Sequence, residues 1–361
     1  MSRASEFISD RPGGTVATLQ ELLSRLVEHE DLTAEETAAV MDDILTDAAS
    51  PVAMGAFLAA LRVKRETPTE VAGLAAAMLK HSLRFEVPGR TVDIVGTGGD
   101  GFATVNISTM SSLVMAGAGL TVVKHGNRAA TSKSGSADVL GELGVRLDLP
   151  VERVKELATE VGITFCFAQV FHPAMRFAMP IRKELGVPTT FNILGPLTNP
   201  AQPAATAIGS SSLRVSPVLA GVIADQGREA LVFYSDNGLD ELAGVCPATV
   251  WEVRGGGVTE IRLDPVADLG LTPITIEDIR GGTAVENATV ARAVLAGERG
   301  AVRETVLLNA AAGIVSDATL PGTSSGTLVE RMRAGIGHAE RAIDSGAAAD
   351  VLDRWVAATQ A

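Results

Sequence analysis

The chain has 361 residues, 46% of them hydrophobic and 20% charged, which excludes a disordered chain and allows about two domains. Thirty basic against 43 acidic residues leave a net charge of −13, and aromatics are only 4%. So acidic a surface repels phosphate and few rings are left for stacking, which argues against a general nucleic-acid binder.

The two cysteines, Cys166 and Cys246, form no CxxC or Cys/His ligand spacing. That argues against structural zinc and a disulfide framework, and for a reducing compartment. Residues 1–15 are polar and lack the apolar core of a signal peptide, and no run of about 18 apolar residues occurs, so the expectation is a cytoplasmic protein without a membrane partner.

In chain order, the first 90 residues read as helices only. Val16, Leu19, Leu22, Leu23, Leu26 and Val27 recur at helical spacing. Thr33 with Glu36 is a capping box opening a helix over 34–46, Ser50-Pro51 is a cap followed by a first-turn proline, and Thr67-Pro68 with Glu70 repeats both signals. The pattern changes at Thr91. Short apolar strands at 91–95, 120–123, 163–167, 204–208 and 230–234 alternate with helices at 108–117, 136–143, 151–161 and 213–224. Such alternation implies a mostly parallel sheet buried on both faces. Residues 249–254 and 258–263 flank three glycines and read as an edge hairpin, and the last 85 residues are helical. The expected fold class is α/β: a small all-helical domain beside a larger α/β domain with a mostly parallel central sheet. A ligand cleft is expected between them.

Five segments carry chemistry. Gly96-Thr-Gly-Gly-Asp100-Gly101 follows a strand directly, and Thr104, Asn106, Ser108 and Thr109 follow it at the start of a helix. Glycines let backbone N–H groups converge on an anion, and a helix N-terminus favours phosphate. The spacing matches neither a Walker A loop nor a GxGxxG fingerprint. The second segment, Lys124-His125-Gly126-Asn127-Arg128 to Asp138, concentrates Lys124, Arg128, Lys133 and hydroxyls that include Ser136. Between residues 94 and 136 there is one acid, Asp100, against three bases, a positive island in an acidic chain that suits phosphate. Third, Asp240 and Glu241 are adjacent carboxylates just after the 230–234 strand. Alone they read as a solvated turn; at the end of a strand and facing phosphates they suit Mg²⁺. Fourth, His172 and Arg182 sit in a stretch where either reads alone as structural, although Arg182 suits a carboxylate. Fifth, Asn192-Ile-Leu-Gly-Pro-Leu-Thr-Asn-Pro200 reads as a rigid connector.

Taken in order, Gly96-Thr-Gly-Gly-Asp100, Asn106-Ile-Ser-Thr109, Lys124-His-Gly-Asn-Arg128, Ser134-Gly-Ser-Ala-Asp138, Phe171-His-Pro173, Asn192 to Asn199 and Gly238-Leu-Asp-Glu241 resemble the anthranilate phosphoribosyltransferase family over nearly the whole chain. The resemblance implies the nucleoside phosphorylase/phosphoribosyltransferase type III fold. Its helical domain would be residues 1–90 joined by roughly 171–200, and its α/β domain residues 91–170 and 201–361. It implies transfer of the phosphoribosyl group of phosphoribosyl pyrophosphate (PRPP) to the amine of anthranilate, in tryptophan biosynthesis. It also implies a homodimer joined through the helical domains. PRPP would be held by Gly96, Gly98, Gly99, Asp100, Thr104, Asn106, Ser108, Thr109, Lys124, His125, Gly126, Asn127, Arg128 and Ser136. Anthranilate would meet Gly96, Asn127, His172 and Arg182. Two Mg²⁺ ions would rest on Ser108, Asp240 and Glu241. No covalent nucleophile or acid–base pair is expected. Where some relatives carry a proline and an aromatic along the anthranilate access path, this chain has Gln169 and Met175. Two rival readings are a pyrimidine nucleoside phosphorylase-like enzyme, which would not need the Asp240-Glu241 pair, and a non-catalytic nucleic-acid-binding relative, which the acidic charge opposes.

Overall fold

A computed structural model describes residues 17–129 and 133–361. Val16, the polar stretch 1–15, and Ala130, Thr131 and Ser132 of the basic segment lie outside the described residues.

Four helices open the chain: α1 (Leu19–Val27), α2 (Ala34–Leu45), α3 (Pro51–Lys64) and α4 (Pro68–Lys80). Each begins on a hydroxyl. Thr18, Thr33, Ser50 and Thr67 accept an N–H three residues on, and Glu21, Glu36 and Glu70 close capping boxes. Their apolar faces meet in one core containing Leu22, Met41, Phe57, Leu61 and Leu74.

The α/β body follows. It contains β1 (Val92–Gly96), α5 (Ile107–Gly117), β2 (Val122–Gly126), α6 (Ser136–Glu142), α7 (Val151–Glu160) and β3 (Ile163–Phe167). Helices α8 (Ala168–Phe171), α9 (Met175–Leu185) and α10 (Phe191–Leu194) come next, then β4 (Ala205–Gly209), α11 (Ser216–Asp225), β5 (Glu229–Ser235), β6 (Ala248–Arg254) and β7 (Gly257–Leu263). Helices α12 (Ala284–Leu295), α13 (Ala301–Asp317), α14 (Leu328–Asp344) and α15 (Ala347–Gln360) end the chain. The seven strands lie in the order β3-β2-β1-β4-β5-β6-β7. The first five are parallel, and β6 and β7 close the edge as an antiparallel hairpin.

The parallel strands are buried on both faces and their residues alternate. Val92, Ile94, Val122, Ala205, Ala207, Leu231 and Phe233 join the core under α5 and α12–α15. Ile208, Ala230 and Val232 face the other way and share the core of α1–α4, and Ala178 of α9 and Phe191 and Leu194 of α10 enter that same core. Helices α9 and α10, which lie between β3 and β4 in the chain, thus pack against the opening helices, whereas Phe171 packs beside Val123 of β2.

The strand expected at 120–123 is displaced. It runs Val122–Gly126 and takes Lys124 and His125 into the sheet. Among the described residues no helix is long and apolar enough to cross a membrane, and both cysteines are free.

Candidate active site

Sheet growth reverses at β1, with β2 and β3 added on one side and β4 and β5 on the other. The connections leaving β1 and β4 lead to helices on opposite faces, α5 and α11, and the crevice outside the ends of these strands is where ligands of open α/β sheets bind. Gly96 and Gly209 are register partners at the ends of these two strands. Neither has space for a side chain. A Cβ on Gly96 would stand 2.3 Å from Asp240 Oδ2, and one on Gly209 would stand 1.7 Å from the Asp240 carbonyl oxygen. Asp240 therefore rests directly on the two strand ends. Its Oδ2 accepts the Gly98 N–H at 2.7 Å. Gly98 and Gly99 take φ of +68° and +81°, a conformation that glycine adopts without strain. The Thr97 N–H donates to Gly209 O at 2.9 Å and Ser211 Oγ donates to Gly98 O at 2.8 Å, lacing the two loops together.

The carboxylates here are crowded. Asp240 and Glu241 are both buried. Burial, reinforced by Asp100, lifts the Asp240 carboxyl to about 7. Burial and then Asp240 push Glu241 well above the usual carboxylate range, opposed by Lys124. Asp100 Oδ2 is buried without a hydrogen-bond partner among the described residues. Converging carboxylates with raised pKa call for a cation. Among the described residues no three His, Cys, Asp or Glu side chains form a ready-made cage. Mg²⁺ does not need one, because one or two carboxylates, substrate phosphates and water complete its shell. The donor set fits that ion.

Lys124 and His125, neighbours in β2, project to opposite faces. Lys124 lies beneath α5, where its Nζ donates to Ile94 O at 2.7 Å and to Ser108 Oγ at 3.3 Å. Burial lowers its pKa, while Asp93 and Glu241 favour its charged form. His125 faces the connector and its Nδ1 pairs with Gly195 O at 3.0 Å. Its ring centre is 5.2 Å from that of His172. Burial holds both rings neutral, with pKa values of about 4 for His125 and about 3 for His172. Among the described residues, His125 Nε2 and both ring nitrogens of His172 have no hydrogen-bond partner. Two adjacent strand positions thus serve different neighbourhoods, one cationic and one neutral.

At the α5 N-terminus, Asn106 occupies the N-cap position without capping its helix, and Thr109 Oγ1 is buried without a partner among the described residues. Thr104 forms an isolated β-bridge with Arg280. Gly126 again marks close approach, since a Cβ would meet the Phe165 ring at 2.8 Å and Ser136 Oγ at 3.0 Å. Asn127 O accepts the Ala137 N–H at 3.2 Å, and Asn127 is exposed. Arg128 is also exposed, paired with Asp138 at 2.9 Å and lying 5.8 Å from the Phe167 ring centre. Arg182, in α9, lies 5.1 Å from the centre of the Phe191 ring. It donates to Met179 Sδ at 3.7 Å, and burial lowers its pKa. Gln169 is exposed on α8, and Met175 packs against the core of the helical bundle.

The positive island needs correction. Folding brings Asp93 beside Lys124, Asp138 onto Arg128, and Asp240 and Glu241 over the crevice. The crevice is a mixed cluster in which buried carboxylates surround Lys124. Sequence reasoning also missed Asp93, Ser211 and Asn287, and read Asn199 only as part of the connector. Asn199 Nδ2 donates to Asp93 Oδ2 at 2.9 Å and to Val123 O at 2.7 Å, so the connector is tied to β1 and β2 at once.

The chain matches two family models. One describes the glycosyl transferase family helical bundle domain over residues 20–82, and the other the glycosyl transferase family a/b domain over residues 88–349. It is 57% identical over 340 residues to the anthranilate phosphoribosyltransferase of Streptomyces griseus subsp. griseus, spanning 94% of this chain and 95% of that one. It is 54% identical over 343 residues to the anthranilate phosphoribosyltransferase of an Arthrobacter species, spanning 95% and 96%. Among solved structures, the Thermus thermophilus anthranilate phosphoribosyltransferase superposes with a TM-score of 0.86 at 40% identity, covering 94% of this chain and 99% of that one. The Saccharomyces cerevisiae anthranilate phosphoribosyltransferase in complex with PRPP and Mg superposes with a TM-score of 0.84 at 29% identity, covering 95% and 98%. With two-domain matches, majority identity to its relatives and a crevice of matching chemistry, the chain belongs to the anthranilate phosphoribosyltransferase family.

Proposed function

We propose that this chain transfers the phosphoribosyl group of PRPP to the amine of anthranilate in the crevice at the β1–β4 switch point, giving N-(5-phosphoribosyl)anthranilate and diphosphate. The observation that carries this reading is the buried Asp240-Glu241 pair seated over the glycine loop and opposite Lys124. The C1–O bond of PRPP breaks with its electron pair leaving on diphosphate, and the amine lone pair forms the new C–N bond. The anilinic amine is neutral at pH 7, so the chain does not have to supply a strong base, and the shed proton passes to solvent.

The Gly96–Asp100 loop, whose Thr97 and Gly98 N–H groups are taken by Gly209 O and Asp240 Oδ2 and whose Gly99 and Asp100 N–H groups are not taken among the described residues, binds the diphosphate and phosphate oxygens together with Asn106, Ser108, Thr109 and Lys124. Thr104, His125, Gly126, Asn127, Arg128 and Ser136 line the rest of the PRPP path. Asp240, Glu241 and Ser108 hold Mg²⁺, two ions per site, which when bound neutralises the charge that develops on the leaving diphosphate. Arg182, a half-buried guanidinium without a carboxylate partner among the described residues, takes the anthranilate carboxylate. His172, kept neutral by burial, receives the ring and amine together with Asn127 and the Gly96 backbone. The buried carboxylate pair also disfavours a nucleoside phosphorylase, whose phosphate substrate has no use for it. We further place the enzyme in the cytoplasm as a homodimer joined through a helical domain of residues 1–90 with 171–200.

Anthranilate fluorescence tests the reading. The purified chain with PRPP and Mg²⁺ is expected to quench it with matching diphosphate release, and EDTA to abolish both. Undiminished fluorescence with PRPP bound would overturn the choice of acceptor.

A further inference from the structure

Asn106 has an unusual allegiance for an N-cap residue. Its Oδ1 accepts a hydrogen bond from Asn287 Nδ2 at 2.8 Å, and its Nδ2 donates to Ser134 O at 3.3 Å. Asn287 lies in the first turn of α12, 3% exposed, and its own Oδ1 accepts the Gly282 N–H at 2.8 Å. A peptide N–H can only donate. It fixes the Asn287 oxygen toward Gly282, so the Asn287 NH₂ must face Asn106, and Asn106 must answer with its oxygen. The Gly282 N–H therefore sets the Asn287 amide, and Asn106 is oriented from two sides, by Asn287 Nδ2 at 2.8 Å and by Ser134, whose O accepts from Nδ2 and whose Oγ donates to Oδ1 at 3.5 Å.

The segment before α12 braces the same loop. The Gly281 N–H donates to Ala103 O at 2.8 Å and the Val105 N–H donates to Ile279 O at 3.0 Å. A Cβ on Gly281 would stand 2.6 Å from Thr104 O. Ala103 sits at φ +53°, a strained position for a residue with a side chain, held by these contacts.

We propose that Asn287 is a positioning residue for phosphoribosyl transfer: with Ser134 it locks the Asn106 amide so that the second Nδ2 hydrogen, the one not given to Ser134 O, rather than Oδ1 is offered to PRPP. This rests on the reading above that Asn106 binds PRPP. Phosphate oxygens only accept hydrogen bonds, so a flipped Asn106 would set an acceptor against acceptors.

A double-mutant cycle on the full chain tests it. Asn287→Asp keeps the size of the side chain and its acceptor for Gly282 but sets a carboxylate oxygen against Asn106 Oδ1, so the Asn106 amide is driven to turn over, giving its Nδ2 to the new carboxylate and giving up the long 3.3 Å bond to Ser134 O. The KM for PRPP is expected to rise about tenfold or more, with the KM for anthranilate at saturating PRPP nearly unchanged. In an Asn106→Ala background the same substitution is expected to add nothing. If Asn106→Ala alone leaves the PRPP KM unchanged, the Asn106 reading has failed and the inference falls with it. If Asn106→Ala raises that KM while Asn287→Asp leaves it alone, moves both substrates equally or adds in full, the positioning role alone is overturned. Should Asn287→Asp not fold, Asn287→Ala removes the donor without a charge and decides the same cycle.

Discussion

Asp240 is held against its own chemistry. Burial and Asp100 raise its carboxyl to about 7, while the Gly98 N–H favours the ionised form. The native state therefore keeps a proton that the unfolded chain, with an ordinary carboxyl, releases at about pH 4. Folded-state stability through this group is full below about pH 4 and is lost as pH rises toward 7, at up to about 1.4 kcal/mol per pH unit. Asp240→Asn is isosteric and neutral and escapes that loss. In urea titrations without Mg²⁺, the variant is expected to gain on the wild type between about pH 4 and 7 and to hold its lead at higher pH. A lead that does not change with pH would refute the assignment. Mg²⁺ above about pH 7 is expected to narrow the gap, because it stabilises the wild-type carboxylate and has less to offer the amide. The histidine pair has the opposite sign. His125 and His172, with pKa values of about 4 and about 3, stay neutral where the unfolded chain takes up protons below about 6.5. Their contribution is present above about pH 6.5 and lost as pH falls. Urea midpoints of His172→Gln are therefore expected to vary less between about pH 6.5 and 4 than those of the wild type.

At the scale of elements, the site depends on strand ends that come close enough to share one residue. Gly96 and Gly209 both lie under Asp240, but a methyl group added to each meets something different. At Gly96 it meets the tip of a side chain, which can swing away. Gly96→Ala is expected to fold with nearly unchanged Tm, lose the Gly98–Asp240 hydrogen bond, and lose most of its turnover. At Gly209 it meets a backbone carbonyl that cannot yield locally, so Gly209→Ala is expected to cost stability as well, about 1–3 kcal/mol. Calorimetry beside initial rates separates the two, and equal Tm losses would count against this account. The same strand ends show what could be read from the sequence. β3 was legible to the residue because its five side chains are uniformly apolar or small. β2 was not, since Lys124 and His125 look like a loop until Asp93 and the connector appear beside them. Those partners come from other strands and from beyond β3, so no local window contains them. Three of the four opening helices were legible through their capping hydroxyls and the first through its apolar spacing, both of which are local by nature; its Thr18 cap was not read. The motifs located the crevice, whereas the Asn287 brace lies 181 positions from Asn106 and gave only an unremarkable helix start.

At the scale of the molecule, the helical bundle has to be registered against a crevice built by the sheet, and one buried carboxylate links them. Glu66, between α3 and α4, is 4% exposed. It accepts hydrogen bonds from Thr190 Oγ1 at 3.0 Å, just before α10, and from Arg214 Nη2 at 2.9 Å in the β4–α11 loop, with Arg62 at 3.6 Å. Arg214 is three residues from Ser211, which holds the Gly98 carbonyl, so the bundle reaches the glycine loop through a short chain of contacts. Arg65, just before Glu66, sits at φ +78°, a conformation that a non-glycine residue keeps only when its surroundings enforce it. Glu66→Gln preserves the shape but leaves Arg214 with a weaker partner. Because Arg214 is about a third exposed, solvent screens part of the loss, and a coupling of about 1–3 kcal/mol is expected from the urea cycle of Glu66→Gln, Arg214→Met and the double variant. Turnover should fall together with that coupling, because the loop that carries Ser211 loses its tie to the bundle. A coupling near zero would mean that the bundle is seated by apolar packing alone, and Glu66 would then be a tolerated buried charge rather than the link between the two bodies.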